Sequence, residues 1–322
     1  MMRTEQNIRG IGRWATTIGL AATIGLSSCT DAPPPPPGDS ASGAADESSQ
    51  ASGDGPASNS GWDGAAGPFV VLPTVDGAYV MGSFLLPDAT ELTVGDTVGV
   101  GAMIGDGAVD LFNRSGQVLA GRLQVEAPQS QEIGCTAWLV ARIRSDSGVV
   151  VPWTAAFRAG RVQPVALDSI EGMTGRDSAL FAAALARLAS GLPDDTSSTF
   201  RGRPFVVLRA WRTAGSDSSL AVATLVRRVN QEDNPREERL VMIIDTPARD
   251  SKQWKVGWHE RASGAEDELV VAEPLLAFRV RGSEELRVLF GRDDGVALGA
   301  AVLTRQVSQW RVLWESAVAG CE

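Results

Sequence analysis

The stretch "QWKVGWHE", Gln253 to Glu260, returns 56 residues later as "QWRVLWES", Gln309 to Ser316. A Trp-x-Val-x-Trp alternation suits a β-strand, whose successive side chains point to opposite faces. It predicts Trp254, Val256 and Trp258 on one face, with Lys255, Gly257 and His259 on the other. In the second copy Trp310, Val312 and Trp314 should oppose Arg311, Leu313 and Glu315. The flanking text repeats as well. "RLVMIIDTPARDSKQWKVGW" parallels "GAAVLTRQVSQWRVLW" as two hairpins with the tryptophan strand second, and "PFVVLRAW" at Pro204 parallels "PLLAFRV" at Pro274. The expectation is a duplicated β meander with its tryptophans in the core, because buried aromatics dominate core energetics. The alternative makes Trp254, Trp258, Trp310 and Trp314 an exposed platform for a sugar ring or peptide.

Other strand-like runs stand between turn signals: "PFVVL" at Pro68, "AYVMGSFLL" at Ala78, "TAWLVARI" at Thr136, "GVVVPWTAAF" at Gly148 and "LAVATLVRRV" at Leu220. "PFVVL" at Pro68 matches Pro204 letter for letter, a weak echo of the repeat in the first half. One helix is predicted over 177–190, within "DSALFAAALARLASG". Leu180, Ala184 and Leu188 recur at four-residue steps beside Phe181 and Leu185, Thr174 or Asp177 can cap the start, and Gly191 with Pro193 stops it. The fold class is therefore mainly β (α+β): antiparallel meander sheets with an internal repeat and one helix packed on a sheet. A propeller-like ring is the alternative.

The start of the chain reads as a targeting segment. Arg3, Arg9 and Arg13 precede "WATTIGLAATIGL", an apolar run too short for a membrane span of about 20 residues. It closes on Leu26-Ser27-Ser28-Cys29, and here the chain resembles a bacterial lipoprotein with its lipobox. The resemblance implies cleavage before Cys29 and acylation of that cysteine, with several acyl chains giving the stable anchoring that one cannot. Thr30 rather than aspartate follows the cysteine, which in that family leans towards the outer membrane.

Residues 1–28 are thus expected as signal peptide and 29–66 as lipidated Cys29 plus a linker rich in Pro, Gly, Ser and acidic residues. The linker cannot bury enough apolar surface to offset its ordering entropy, and as a coil it spans on the order of 35 Å. Residues 67–170 form an N-terminal β region and 171–322 the helix with the repeated meanders. Net charge is −10. Loss of three arginines and one glutamate with the signal peptide makes the mature chain about −12, which argues against nucleic acid and against docking on anionic headgroups.

Catalytic groups are sparse. His259 is the single histidine, expected as an exposed strand-end residue, and no Gly-x-Ser-x-Gly elbow follows the signal peptide. One histidine leaves little for zinc. "GDGAVD" (Gly105 to Asp110) and "GRDDG" (Gly291 to Gly295) lack EF-hand spacing and read as tight turns. No nucleotide fingerprint occurs, so no cofactor is expected. Glu260, Glu266, Asp267, Glu268 and Glu315 are the candidates for a glycosidase-type carboxylate pair. The reading is a lipid-anchored cell-envelope module that binds an envelope protein or glycan without catalysis. Its alternatives are an envelope hydrolase of glycan or ester and a small-ligand carrier.

With Cys29 lipidated, Cys135 and Cys321 remain as a pair in an oxidising compartment, and a disulfide between them is expected. Closing so long a loop contributes about 3–5 kcal/mol in the chain-entropy account. Thiol titration of the denatured, unreduced protein should find neither cysteine reactive; two free thiols there rule the bridge out.

Overall fold

The computed structural model describes residues 67, 69–73, 79–81, 107–125, 139–144, 154–193, 198–213, 220–229, 235–246, 253–265, 269, 271–293, 297–306, 309–315 and 319–320. Cys29, Cys135 and Cys321, the lipobox, the linker and the acids Glu266, Asp267 and Glu268 lie outside them. Among the described residues no helix is long and apolar enough to cross a membrane. The fold is mainly β, and the described residues form three antiparallel sheets and one α-helix.

The first sheet comprises β1 (Phe69–Pro73), β2 (Tyr79–Met81), β3 (Ala108–Asn113), β4 (Gly116–Val125), β5 (Leu139–Arg144) and β6 (Thr154–Arg158). Its ladders run β1-β2-β5-β4-β3-β6, and β6 pairs back to β1, so the sheet closes into a ring. The chain then divides between two further sheets. β7 (Val162–Val165) and β8 (Leu167–Ser169) are separated by Ala166 alone, yet β7 pairs with β13 (Val271–Val280) and β8 with β9 (Val206–Thr213). The transition out of the ring therefore falls at residues 159–161, ahead of the boundary expected at 170.

Each of these two sheets is one short strand plus a four-stranded meander. The second sheet adds β10 (Leu220–Val229), β11 (Arg236–Asp245) and β12 (Lys255–Ala265) in the order β12-β11-β10-β9-β8. The third adds β14 (Arg287–Asp293), β15 (Ala297–Gln306) and β16 (Gln309–Glu315) in the order β16-β15-β14-β13-β7, with β17 (Ala319–Gly320) also on β15. The hairpins read from sequence as repeats are β11–β12 and β15–β16, in equivalent places. The echo at Pro68 carries no such equivalence, since β1 belongs to the ring and β9 to the second sheet.

Burial explains the layering. Val222 and Ile243 of the second sheet meet Val288, Phe290 and Leu303 of the third across one core. The opposite face of the second sheet, with Ala223, Leu225, Leu240 and Met242, is covered by α1 (Gly175–Ser190). The opposite face of the third, with Phe278, Leu289 and Val302, packs on Phe112 and Phe157 of the ring. The order is helix, sheet, sheet, ring; this stacking, and not radial blades, is what the meanders form. The helix starts two residues earlier than its apolar run, because Thr174 accepts from the Asp177 N–H at 3.2 Å and caps it. Its inward stripe is Phe181, Leu185, Leu188 and Ala189, while Leu180, expected to face the sheet, is 61% exposed.

The tryptophan strands depart from strict alternation for a definite reason. In the β11–β12 ladder Ile243 pairs with Trp258 but Ile244 with Val256, leaving Gly257 as an extra residue. In the β15–β16 ladder Val302 pairs with Trp314 but Leu303 with Val312, leaving Leu313 extra. Both bulges fall at the same position of the 56-residue repeat. An extra residue shifts the pleat by one, so side chains beyond it change face. Trp254 and Val256 therefore pack with the helix, Trp254 against Phe181 with rings 5.4 Å apart, whereas Trp258 turns to Phe290 of the third sheet at 5.6 Å. Trp310 and Val312 face the second sheet, and Trp314 faces the ring.

Gly257 is where the two copies touch. A Cβ there would lie 2.5 Å from Cδ1 of Trp310, an indole buried in the inter-sheet core. The ring cannot swing away without breaking its hydrogen bond to Asp245. Gly257→Ala is therefore expected to destabilise the protein by about 1–3 kcal/mol through overpacking. That exceeds the roughly 0.5–1 kcal/mol that replacing a strand glycine would otherwise gain. Urea unfolding measures it, and an unchanged or raised midpoint would refute the contact.

Candidate functional site

Of the residues singled out in the sequence, Trp258 and Trp310 meet in the core between the second and third sheets, while Trp254 packs with the helix and Trp314 with the ring. Trp310 is 5% and Trp314 6% exposed; Trp254 and Trp258 are half-buried. Burying an indole removes some 150–250 Å² from water, worth several kcal/mol at about 25 cal/mol per Å². The position of Trp310 is fixed by a weaker, directional contact. Its Nε1 donates to Asp245 Oδ2 at 3.1 Å, and Arg305 Nε lies 3.1 Å from the same oxygen. Asp245 ends the apolar run of β11, and an acid in such a run is the one sequence sign that it would be buried and paired.

At the β12–β16 edge, Glu260 of β12 and Glu315 of β16 are brought to one guanidinium. They do not form an open pair. Arg292 of β14 stands between them, donating to Glu260 and holding Glu315 at 3.3 Å. Both carboxylates are thus engaged by one guanidinium rather than facing each other across an open gap. The guanidinium also occupies the space where a substrate oxygen or attacking water would have to sit. Arg292 carries no catalytic pattern in the sequence; only the fold reveals it. His259 is exposed as expected, but it lies within β12 opposite Met242 rather than at a strand end, because β12 runs on to Ala265. Asp110 is in β3, not in a loop, and is used structurally: it accepts from Gln117 Nε2 at 2.9 Å and from the Gly160 N–H at 2.7 Å. Arg292 and Asp293 likewise end β14, and the remainder of "GRDDG" lies outside the described residues. No cluster able to hold a metal ion occurs among the described residues.

The same arginine-for-acid arrangement recurs on β11. Glu237 and Glu238 are adjacent, so they project from opposite faces of the strand, and both are buried. Glu238 meets Arg227 Nε at 2.8 Å and Arg261 at 3.3 Å; Arg227 in turn lies over the Phe205 ring at 4.7 Å. Glu237 accepts from Arg228 at 2.5 Å and from Arg239. Between ring and sheets, Glu273 of β13 is shared by Arg114 from the β3–β4 turn and by Arg209 at 3.0 Å. Arg114 also donates to the Pro274 carbonyl at 2.6 Å and stacks 4.7 Å over Trp211. One arginine in a ring hairpin thus ties the first sheet to both others.

Glu237 predicts a pH signature. Burial pushes its pKa up, but hydrogen bonds from Arg239 and Arg228 and their charges outweigh this, and the net shift is below the ordinary value of 4.5. A depressed folded-state pKa gives stability that is complete above the unfolded value and is lost as pH falls through the folded one. Glu237→Gln should therefore lower unfolding free energy at neutral pH, with the gap to wild type closing below about pH 4. Urea titrations across pH 3–7 test this; a pH-independent gap would refute it.

No family model matches the chain, and comparison with curated proteins and with solved structures likewise finds no match.

Proposed function

We propose that this chain is a bacterial lipoprotein, anchored through Cys29 in the cell envelope, whose folded part is a non-catalytic binding or assembly module. The targeting segment ending in "LSSC" supports the anchor, and the acidic Pro/Gly/Ser linker supplies a tether between lipid and fold. The observation that carries the non-catalytic reading is the fate of the acids. Glu237, Glu238, Glu260, Glu273 and Asp245 are each held by arginine, so the structural carboxylates are tied into ion pairs that brace strands and sheets. A hydrolase built on Glu260 and Glu315 would need one of them protonated and the other free. The seam between the sheets is also filled where a carrier would need a cavity, with Trp310 on Gly257 and Trp258 on Phe290. Thr30 after Cys29 favours the outer membrane over the inner as the site of attachment, and partners are envelope proteins or glycans.

The test uses the full chain expressed in a bacterial host. Metabolic labelling with an alkyne fatty acid should mark the wild type and leave Cys29→Ser unlabelled and released from membranes; equal labelling of both would refute the anchor. Photo-crosslinking in intact envelopes should give one saturable adduct. Turnover of a glycan or ester panel that disappears in Glu260→Gln would instead establish the hydrolase.

A further inference from the structure

Most half-buried arginines of the second and third sheets are matched to carboxylates, and half-buried Arg279 of β13 is not. It takes part in none of the ion pairs among the described residues. Its Nε is buried and has no hydrogen-bond partner. A charged donor withdrawn from water and left unsatisfied is costly, and where one persists it marks a place for an acceptor that binds there.

Arg279 lines a cleft of about 580 Å³, within the range of small-ligand sites. The cleft lies where the free edge of β7, the turn after β13 and Gln117 of β4 come together. Gln163 of β7 is the ladder partner of Arg279, so the amide and the guanidinium are neighbours on one face. Gln117 has its amide nitrogen engaged by Asp110, which leaves its carbonyl oxygen as an acceptor. The turn contributes Arg281, Ser283 and Glu284. Gly282 adopts φ +84 with nothing within 4 Å of where a Cβ would be, so the mouth of the cleft is open at the turn. Pro164 provides an apolar patch beside these groups.

The inventory is two guanidiniums against one carboxylate, two amides and a hydroxyl. That set matches a ligand bearing one anionic group and several hydroxyls, where planar amides and carboxylates share out the hydroxyls and arginine takes the acid. We propose that the cleft binds an acidic sugar unit, with its carboxylate on Arg279 and its hydroxyls on Gln163, Ser283 and Glu284. This deepens the binding-module reading by naming a ligand class. It stands apart from the anchor, because labelling at Cys29 is indifferent to the cleft.

The experiment is titration calorimetry and thermal unfolding of the full chain in detergent with D-glucuronate, D-glucose and inorganic phosphate. Glucuronate should bind and raise Tm with concentration, each competitor binding at least about tenfold more weakly. A tetrasaccharide containing glucuronate that binds more tightly than the monosaccharide would identify a glycan as the source, and equal affinities a free sugar acid. Arg279→Gln should weaken glucuronate binding by about tenfold or more, as loss of a charge-assisted hydrogen bond implies. Gln163→Ala, an exposed position that leaves folding intact, should weaken it severalfold. Binding of glucuronate that is absent, or unchanged in both variants, overturns the proposal. So does phosphate binding as tightly as glucuronate, which would reduce the cleft to a simple anion site.

Discussion

Apolar side chains on both faces of the central strands are the constraint from which the architecture follows. β10 is buried along nearly its whole length, and β11 is almost as enclosed. A sheet with two dry faces must be covered twice, as two-sided apolar strands always require. The second sheet meets this with α1 on one side and its duplicate on the other. The duplicate has the same need, and the closed ring of β1–β6 takes that role through Phe112 and Phe157. Hydrophobic area fixes the stacking order; the arginine pairs fix the register within it.

Those pairs say something about the charge economy of an acidic chain. Guanidinium is planar, always charged and able to serve two carboxylates or a carboxylate and an aromatic face together. Arg227 does both at once, with Glu238 on one side and Phe205 beneath, and Arg114 joins Glu273, a backbone carbonyl and Trp211. Breaking such a buried pair costs more than the pair contributes, since the remaining charge is stranded. The sheets are therefore locked against sliding by groups whose loss is expensive, even where their net stabilisation is small.

The second half of the chain was readable because its strands are long, apolar and regularly punctuated, so that β10 and the paired hairpins stand out by period alone. The ring was less so. β4, "GQVLAGRLQV", is largely exposed and glycine-bearing, and offers little alternation. β7 holds Pro164 and is tolerated only as an edge strand, while β8 has three residues. Face assignment at the tryptophans failed at the bulges. Gly257 hints at one, because glycine inside a strand often marks an irregularity, but Leu313 carries no such sign. Contacts such as Arg114 with Glu273 and Arg292 with Glu260 join residues far apart in the chain, and composition cannot foretell them.

The copies differ at many positions, and the difference at the place where they meet decides how they meet. The bulged residue is Gly257 in one copy and Leu313 in the other. The glycine leaves a hollow facing the third sheet, which the first tryptophan of the second copy fills; the leucine instead packs toward the ring. Exchanging the two residues would place a branched side chain under Trp310 and remove a leucine from the core shared with the ring, so the copies are not interchangeable. A duplicated sheet with identical faces could stack either way round and could pair with another molecule as readily as with itself. One missing side chain removes that degeneracy, because only the observed order offers the indole both a space and, in Asp245, an acceptor for its N–H.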